Sequence, residues 1–321
     1  MAELIYAASI ARSLENTLLG SEKITRMVFA ENYEAAVKIL QESGFGNMSD
    51  GGVDGMIAAE EVKLARFMKE AGGIKGLSGF ALTNDYHNAK ALMKAKYGGI
   101  SDPSFMLAPA GEIDVYLLKD AVMNDSYDAL FPRLAQALTH IDVYFASNPH
   151  SGRYIDEVLD KAMYAHILEV SKKVKSVEKY WVTEIDYANV ESLLRIKKAG
   201  GRESEFKSAF ISGGSIGEDA LCALFEEEEA VVEEKLKYTS VSRGMAEYAS
   251  TKSFARLEAC KDNAQLEIFK ADRYDVFSVA PIAGYYVAKK SELKAVKMIT
   301  TLQKIGADKS LIKERLREFY V

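Results

Sequence analysis

The chain has 321 residues, 48% of them apolar, and a formal net charge of −6. That is ample material for buried cores, while the acidic balance disfavours a dedicated nucleic-acid binder, whose phosphate affinity comes from clustered Lys and Arg. Cys222 and Cys260 are far apart and form no metal or redox spacing, no apolar run is long enough to cross a bilayer, and Met1-Ala2-Glu3-Leu4 lacks both a basic start and a cleavable apolar segment; a reducing compartment and peripheral membrane association are expected.

The five prolines, Pro103, Pro109, Pro132, Pro149 and Pro281, fall at apparent junctions or helix starts, so the chain reads as all-α. Residues 3–41 carry helical periodicity, with Ile5, Ala8, Leu18 and Leu19 and then Tyr33, Ala36, Val37 and Leu40. Ser43 to Gly55 is a loop rich in Gly, Asn and Asp, followed by a helix from Met56 to Ala71 and a glycine-rich break through Gly79. A helix is expected over Phe80 to Tyr97, then a boundary within Gly98 to Gly111. Further helices are expected over Ile113 to Met123 and Leu130 to Phe145, with a break at Ser147-Asn148-Pro149. From Arg153 the apolar steps Ile155, Leu159, Met163, Ile167 and Val170 predict a long helix, and Trp181 leads into another that ends near Gly200-Gly201. Several short helices follow Gly213. Pro281 initiates a long one, and Ser310 is the expected cap of the last.

An internal repeat organises these elements. Asp85-Tyr86-His87-Asn88-Ala89-Lys90-Ala91-Leu92 and Asp186-Tyr187-Ala188-Asn189-Val190-Glu191-Ser192-Leu193 share one acid-led signature, and a more worn copy runs from Glu292 to Ile299. Each starts with an acid and places apolar residues four positions on (Ala89, Val190, Val296) and seven on (Leu92, Leu193, Ile299), which lie on one helical face. A second element, Leu107-Ala108-Pro109-Ala110-Gly111-Glu112-Ile113, recurs as Phe210-Ile211-Ser212-Gly213-Gly214-Ser215-Ile216. The two landmarks in one order predict three similar helical units, over residues 1–105, 106–208 and 209–321.

Reactive constellations are not evident. Gly213-Gly214-Ser215-Ile216-Gly217 matches the bare G-x-S-x-G string of a hydrolase, but that motif needs a strand before the serine and a histidine after it, and His87, His140, His150 and His166 all precede it. A glycine turn opening a helix explains it better. The histidines show no metal-binding spacing, although ligands converging from distant segments are not visible in sequence. Asp156 and Asp160 share a helix face and are expected to be structural. Gly51 to Gly55 and Gly72 to Gly76 lack the order of a phosphate loop. No catalytic, cofactor or metal residue is assigned. A soluble helical hydrolase using Ser215 or a distributed metal site, and a generic helical scaffold, are the alternatives from other classes. Charge is segregated: Glu226 to Glu229 with Glu233 and Glu234 form an acidic stretch, whereas Lys289, Lys290, Lys294, Lys297, Lys304, Lys309, Lys313, Arg315 and Arg317 crowd the last segment. These are solvated helix faces or patches for protein partners.

Tyr6 with Ala11-Arg12 and Leu18-Leu19, the run Leu82 to Tyr97 with its Asn84-Asp85-Tyr86-His87-Asn88, Ile155-Asp156 with Leu159-Asp160-Lys161, and Pro281-Ile282-Ala283-Gly284-Tyr285-Tyr286 leading to Glu292 and Lys297 resemble the C subunit of archaeal and bacterial V-type (A-type) ATP synthases, the counterpart of the d subunit of the eukaryotic vacuolar ATPase. The resemblance spans essentially the whole chain in order. It implies a funnel-shaped, pseudo-threefold body of three helical-bundle domains, a non-catalytic socket between the central stalk and the membrane proteolipid ring at the cytoplasmic face, with the ATP sites elsewhere in the complex. Asp85, Tyr86, Asn88, Asp186, Tyr187, Asn189, Glu292 and Lys297 would be its repeated structural positions, the acids acting locally by capping or pairing with a neighbouring helix. The family tends to carry arginine where Lys297 stands, which leaves a simple charge contact there and not a planar one.

Overall fold

The computed structural model describes residues 2–46, 51–109 and 111–320, and helix is the only regular secondary structure among them. In chain order the α-helices are α1 (Ala2–Glu15), α2 (Gly20–Phe29), α3 (Tyr33–Glu42), α4 (Gly52–Glu70), α5 (Ser78–Gly98), α6 (Val115–Met123), α7 (Pro132–Phe145), α8 (Gly152–Ser171), α9 (Lys175–Lys198), α10 (Glu203–Ala209), α11 (Glu218–Cys222), α12 (Glu229–Leu236), α13 (Ser242–Thr251), α14 (Phe254–Lys270), α15 (Ala280–Lys304) and α16 (Lys309–Glu314).

Local chemistry sets these limits. Asp114 turns α6 on by accepting from Tyr116 N at 2.9 Å and Leu117 N at 3.2 Å, and Ser151 opens α8 by accepting from Tyr154 N. Pro132 and Pro281 occupy first-turn positions, where the missing N–H costs nothing. The last helix corrects one expectation. Asp308, in extended conformation, is its cap and accepts from Ser310 N at 2.7 Å, so Ser310 lies inside the first turn. α4 begins at Gly52, four residues ahead of the expected Met56, and α9 begins at Lys175, so Trp181 is a core residue within it rather than its lead-in. Residues 47–50 of the expected loop and Ala110 of the recurring element lie outside the described residues.

The chain divides into two compact units, residues 1–67 with 229–321 and residues 68–228. In the second, α5 packs on α6 and α8, α8 on α7 and α9, and α9 on α10. Leu118, Leu134, Ile141, Leu159, Ile167 and Leu193 are among its fully buried side chains. In the first unit, α15 is the hub and touches α1, α2, α3, α14 and α16. Its face Val296 and Ile299 joins Ile24, Met27, Ala36, Leu40 and Ile312 in one apolar cluster. α15 is buried on nearly all sides from Ala280 to Ala288, where Gly284 lets Tyr320 close in: a Cβ there would stand 2.4 Å from the Tyr320 hydroxyl oxygen.

Candidate functional site

The three signature stretches lie on α5, α9 and α15, and each places the same register in its core. Counting from the acid, the residues three before (Leu82, Thr183, Lys289), one after (Tyr86, Tyr187, Leu293), three after (Asn88, Asn189, Ala295), four after and seven after are all buried. Asp85 and Asp186 are themselves 0% exposed and Glu292 is 8% exposed. A carboxylate at that depth requires donors, since an uncompensated charge in the interior is costly.

The donors are backbone N–H groups at the entry to another helix. Asp85 accepts from Glu112 N at 2.9 Å and Ile113 N at 3.1 Å, just before the cap of α6. Asp186 accepts from Ser215 N at 2.7 Å and Ile216 N at 3.1 Å, just before Gly217, the cap of α11. Glu292 accepts from Leu19 N, the cap of α2. In all three cases a buried carboxyl gives an acceptor to backbone N–H groups at or just ahead of a helix's N-cap. The companion asparagines tie the same strips of chain. Asn88 exchanges two bonds with Ala108, at 2.8 and 3.2 Å, and Asn189 exchanges two with Ile211, at 2.8 and 2.9 Å. The two elements that recur in the sequence, the acid signature and the glycine turn, are thus each other's partners. Glycine is required at the contact because a Cβ on Gly111 would stand 2.4 Å from Ala81 O, and one on Gly214 would stand 2.4 Å from Asp186 Oδ1.

Burial pushes the Asp85 carboxyl up to about 7 against the backbone N–H groups that hold it down, and the nearby Glu112 charge adds to the rise. From its ordinary value of 3.8 upward, the folded state therefore keeps a proton that the unfolded chain has released. The sign follows: stability falls as pH rises from about 4 to about 7, by at most about 4 kcal/mol. Urea unfolding across that window is expected to show wild type losing stability relative to Asp85→Asn as pH rises, and parallel curves would refute it.

The third copy is built differently. It has one backbone donor and no asparagine, and Lys289, one turn before Glu292, supplies the missing charge. Lys289 Nζ lies 2.7 Å from Glu292 Oε1 and 2.7 Å from Glu60 Oε2 of α4, and 4.8 Å from the Phe45 ring centre. Glu60 also accepts from Gly46 N at 3.1 Å and Lys63 Nζ at 2.7 Å. Burial pulls the Lys289 ammonium down, but the two carboxylates outweigh it and hold it above the usual lysine value. At Glu60 burial is outweighed by the bonds from Lys289 and Lys63 and the carboxyl is held down, whereas at Glu292 burial prevails and pushes it up. Two carboxylates sharing one buried cation separate in this way. In the sequence Lys289 stands only as one member of a basic run, and Glu60 is not singled out. The signal existed, because Lys289 falls on the buried seam Ile282, Tyr285, Glu292, Val296 and Ile299, and Glu60 on the seam Val53, Met56, Leu64 and Phe67.

The remaining candidates have separate surroundings. Tyr86 is buried with its hydroxyl 3.3 Å from His166 Nδ1, and Tyr187 is buried on α9. Lys297 is exposed on α15. Asp160 and Asp156 pair with Lys90 at 2.6 Å and Lys94 at 2.7 Å, a two-rung ladder in which i,i+4 acids on α8 meet i,i+4 lysines on α5. Both rungs are partly exposed, so a double-mutant cycle on Lys94 and Asp156 is expected to return a coupling below about 1 kcal/mol. Ser215 follows a turn and not a strand, and its Oγ donates to Asp186 Oδ2 at 2.6 Å. His87 contacts Met106 O and His140 contacts the Tyr154 hydroxyl. Among the described residues, no three His, Cys, Asp or Glu side chains gather as a metal site would require, and no helix is long and apolar enough to cross a membrane.

A family profile described as ATP synthase (C/AC39) subunit matches residues 7–315. The chain is 24% identical to the C subunit of the A-type ATP synthase of Methanosarcina mazei, over 97% of this chain and 92% of that relative. It is 22% identical to the protein of the same description from Pyrococcus abyssi, over 98% and 90%, and 25% identical to that from Methanocaldococcus jannaschii, over 93% and 82%.

Proposed function

Because the chain belongs to the ATP synthase (C/AC39) subunit family, we propose that it is a non-catalytic rotor component of a rotary ATP synthase or ATPase, set between the central stalk and the membrane proteolipid ring. There it would transmit torque for ATP-coupled cation transport from the cytoplasmic face, touching the membrane only through partner subunits. The ATP sites would lie on other subunits, and no cofactor is needed for the role.

The observation that carries this reading is the junction found three times. Each signature helix is fixed through a buried acid to the backbone at the entry of another helix, a contact that ties helices together within each unit without placing a reactive group in a cleft. Transmission of torque asks for that: stiffness from close packing, and matched surfaces at the two ends. Asp85, Asp186 and Glu292 take equivalent positions in three repeated units, over residues 1–105, 106–208 and 209–321, and their work is local anchoring instead of proton transfer. Lys297, exposed on the third signature helix, is available for a charge contact with a neighbour.

The test is a complex assembled with and without this chain in sealed vesicles. ATP hydrolysis by the detached headpiece should persist without it, while ATP-driven cation uptake should be lost and should return on adding the chain back. Uptake that continues without the chain, or hydrolysis in the headpiece that depends on it, would overturn the proposal.

A further inference from the structure

The basic run of the last segment is dispersed only in part: Lys304, Lys309 and Lys313 lie exposed and outside any shared site, while other members gather. Lys289 is consumed in the core, whereas Lys294 and Lys297 on α15 and Arg315 and Arg317 after α16 converge on an open groove of about 430 Å³ that α14 closes with Ala255 and Glu258. The four cations differ in what they already hold. Lys294 lies 3.2 Å from Asp262 and 3.7 Å from Glu258, and Arg317 lies 3.0 and 3.8 Å from the same two acids. Lys297 and Arg315 are exposed and have no carboxylate within ion-pair distance among the described residues. Four cations against two acids leave the groove with two uncompensated positive charges, and both belong to the pair that faces solvent.

Between those cations the lining is apolar, with Met298 and Leu302 half-buried and the Thr301 hydroxyl beside them. Lys294, Lys297 and Thr301 stand on one face of α15, so the cations and the apolar strip run along the groove and not around one point. A single small anion would leave most of that volume unfilled and would face Glu258. A peptide with carboxylates on either side of an apolar residue matches the charges and the strip together. We propose that this groove binds an acidic, partly apolar segment of a partner protein, with Lys297 and Arg315 as the charged contacts and Met298 and Leu302 as the apolar seat.

The probe is a fluorescent hexapeptide of alternating glutamate and leucine, titrated into the purified full chain and followed by anisotropy. Saturable binding is expected, weakening as salt is raised, and lost by about tenfold or more in the double variant Lys297→Glu/Arg315→Glu. Lys297→Arg should retain it. Lys304→Glu/Lys313→Glu makes the same change in net charge at exposed positions outside the groove and should leave affinity within about twofold. Thermal unfolding of each variant shows that the fold is kept. Equal loss in both double variants would reduce the effect to bulk charge. Undiminished binding in the groove variant, no saturable binding, equal affinity for hexaglutamate, or full displacement by millimolar inorganic phosphate would each overturn the proposal.

Discussion

Lys289→Met is expected to destabilise the chain by about 3–5 kcal/mol, because it leaves two buried carboxylates facing each other without the buried cation they share, with only the half-exposed Lys63 still beside Glu60. Lys289 is 2% exposed and bonded at 2.7 Å to both Glu60 and Glu292. Methionine keeps the length and apolar stem of the side chain, so lost packing contributes little and the penalty is electrostatic. Two further measurements separate this from a generic core defect. The triple variant Lys289→Met/Glu60→Gln/Glu292→Gln should recover much of the loss, since neutral amides of the same shape can still accept from Gly46 N and Leu19 N. The deficit of the single variant should also shrink as pH is lowered: Glu292, which burial already pushes up, loses the cation that opposed that rise, binds its proton still more tightly folded than unfolded, and acid relieves the repulsion. A Lys289→Met deficit that stays constant from neutral pH to pH 4, or a triple variant as unstable as the single one, would show that the trio is not held together by charge.

The helices themselves were legible in the sequence because their signals are local. The steps Ile155, Leu159, Met163 and Ile167 mark α8, and all four are buried. Ends were read less well, where two residues close in sequence offer the same chemistry. Asp308 and Ser310 can both cap a helix, and the choice of Asp308 depends on which residue takes the extended conformation that turns its side chain toward the first free N–H. α4 starts at Gly52, a residue whose low helix propensity argues for a later start. The acid signature and the glycine turn were visible as separate repeats, but not as partners, since their contact joins residues 27 to 30 positions apart and the Glu292 contact spans 273. Lys289 and Glu60 were hidden for another reason. A charged residue on a buried seam is read as an interruption of the pattern until its partner is known, and nothing in α4 points to α15. The basic groove, likewise, depends on a tail folding back over α15, which charge counting along the chain does not show.

Asp186→Ala should cost about 2–6 kcal/mol, since it strips the acceptor from two N–H groups at the entry of α11 and each orphaned donor costs about 1–3 kcal/mol. Ser215→Ala, which removes only the hydroxyl bonded to Asp186 and leaves both N–H bonds in place, should cost about 0.5–1.5 kcal/mol. The ranking matters as much as the sizes. If the serine were a nucleophile held by an acid, both changes would abolish an activity; in an anchored turn they differ in stability and nothing is catalysed. The glycines test the same contact from the other side. Gly214→Ala would bring a Cβ to 2.4 Å from Asp186 Oδ1 and 3.1 Å from an Ile185 methyl, and Asp186, fully buried on α9, has no room to retreat. Gly111→Ala meets the Ala81 carbonyl of α5 at 2.4 Å, and helix backbone does not yield cheaply. Each should lose about 1–3 kcal/mol or more. Gly98→Ala is the internal control. It sits at the end of α5 with nothing within 4 Å of the added Cβ, so the change should be neutral or stabilising by up to about 1 kcal/mol. Urea unfolding of the set decides: if Gly214→Ala and Gly98→Ala behave alike, or Asp186→Ala is no worse than Ser215→Ala, the acid and the glycine turn do not bear on each other, and the triplicated junction loses its place as the source of stiffness.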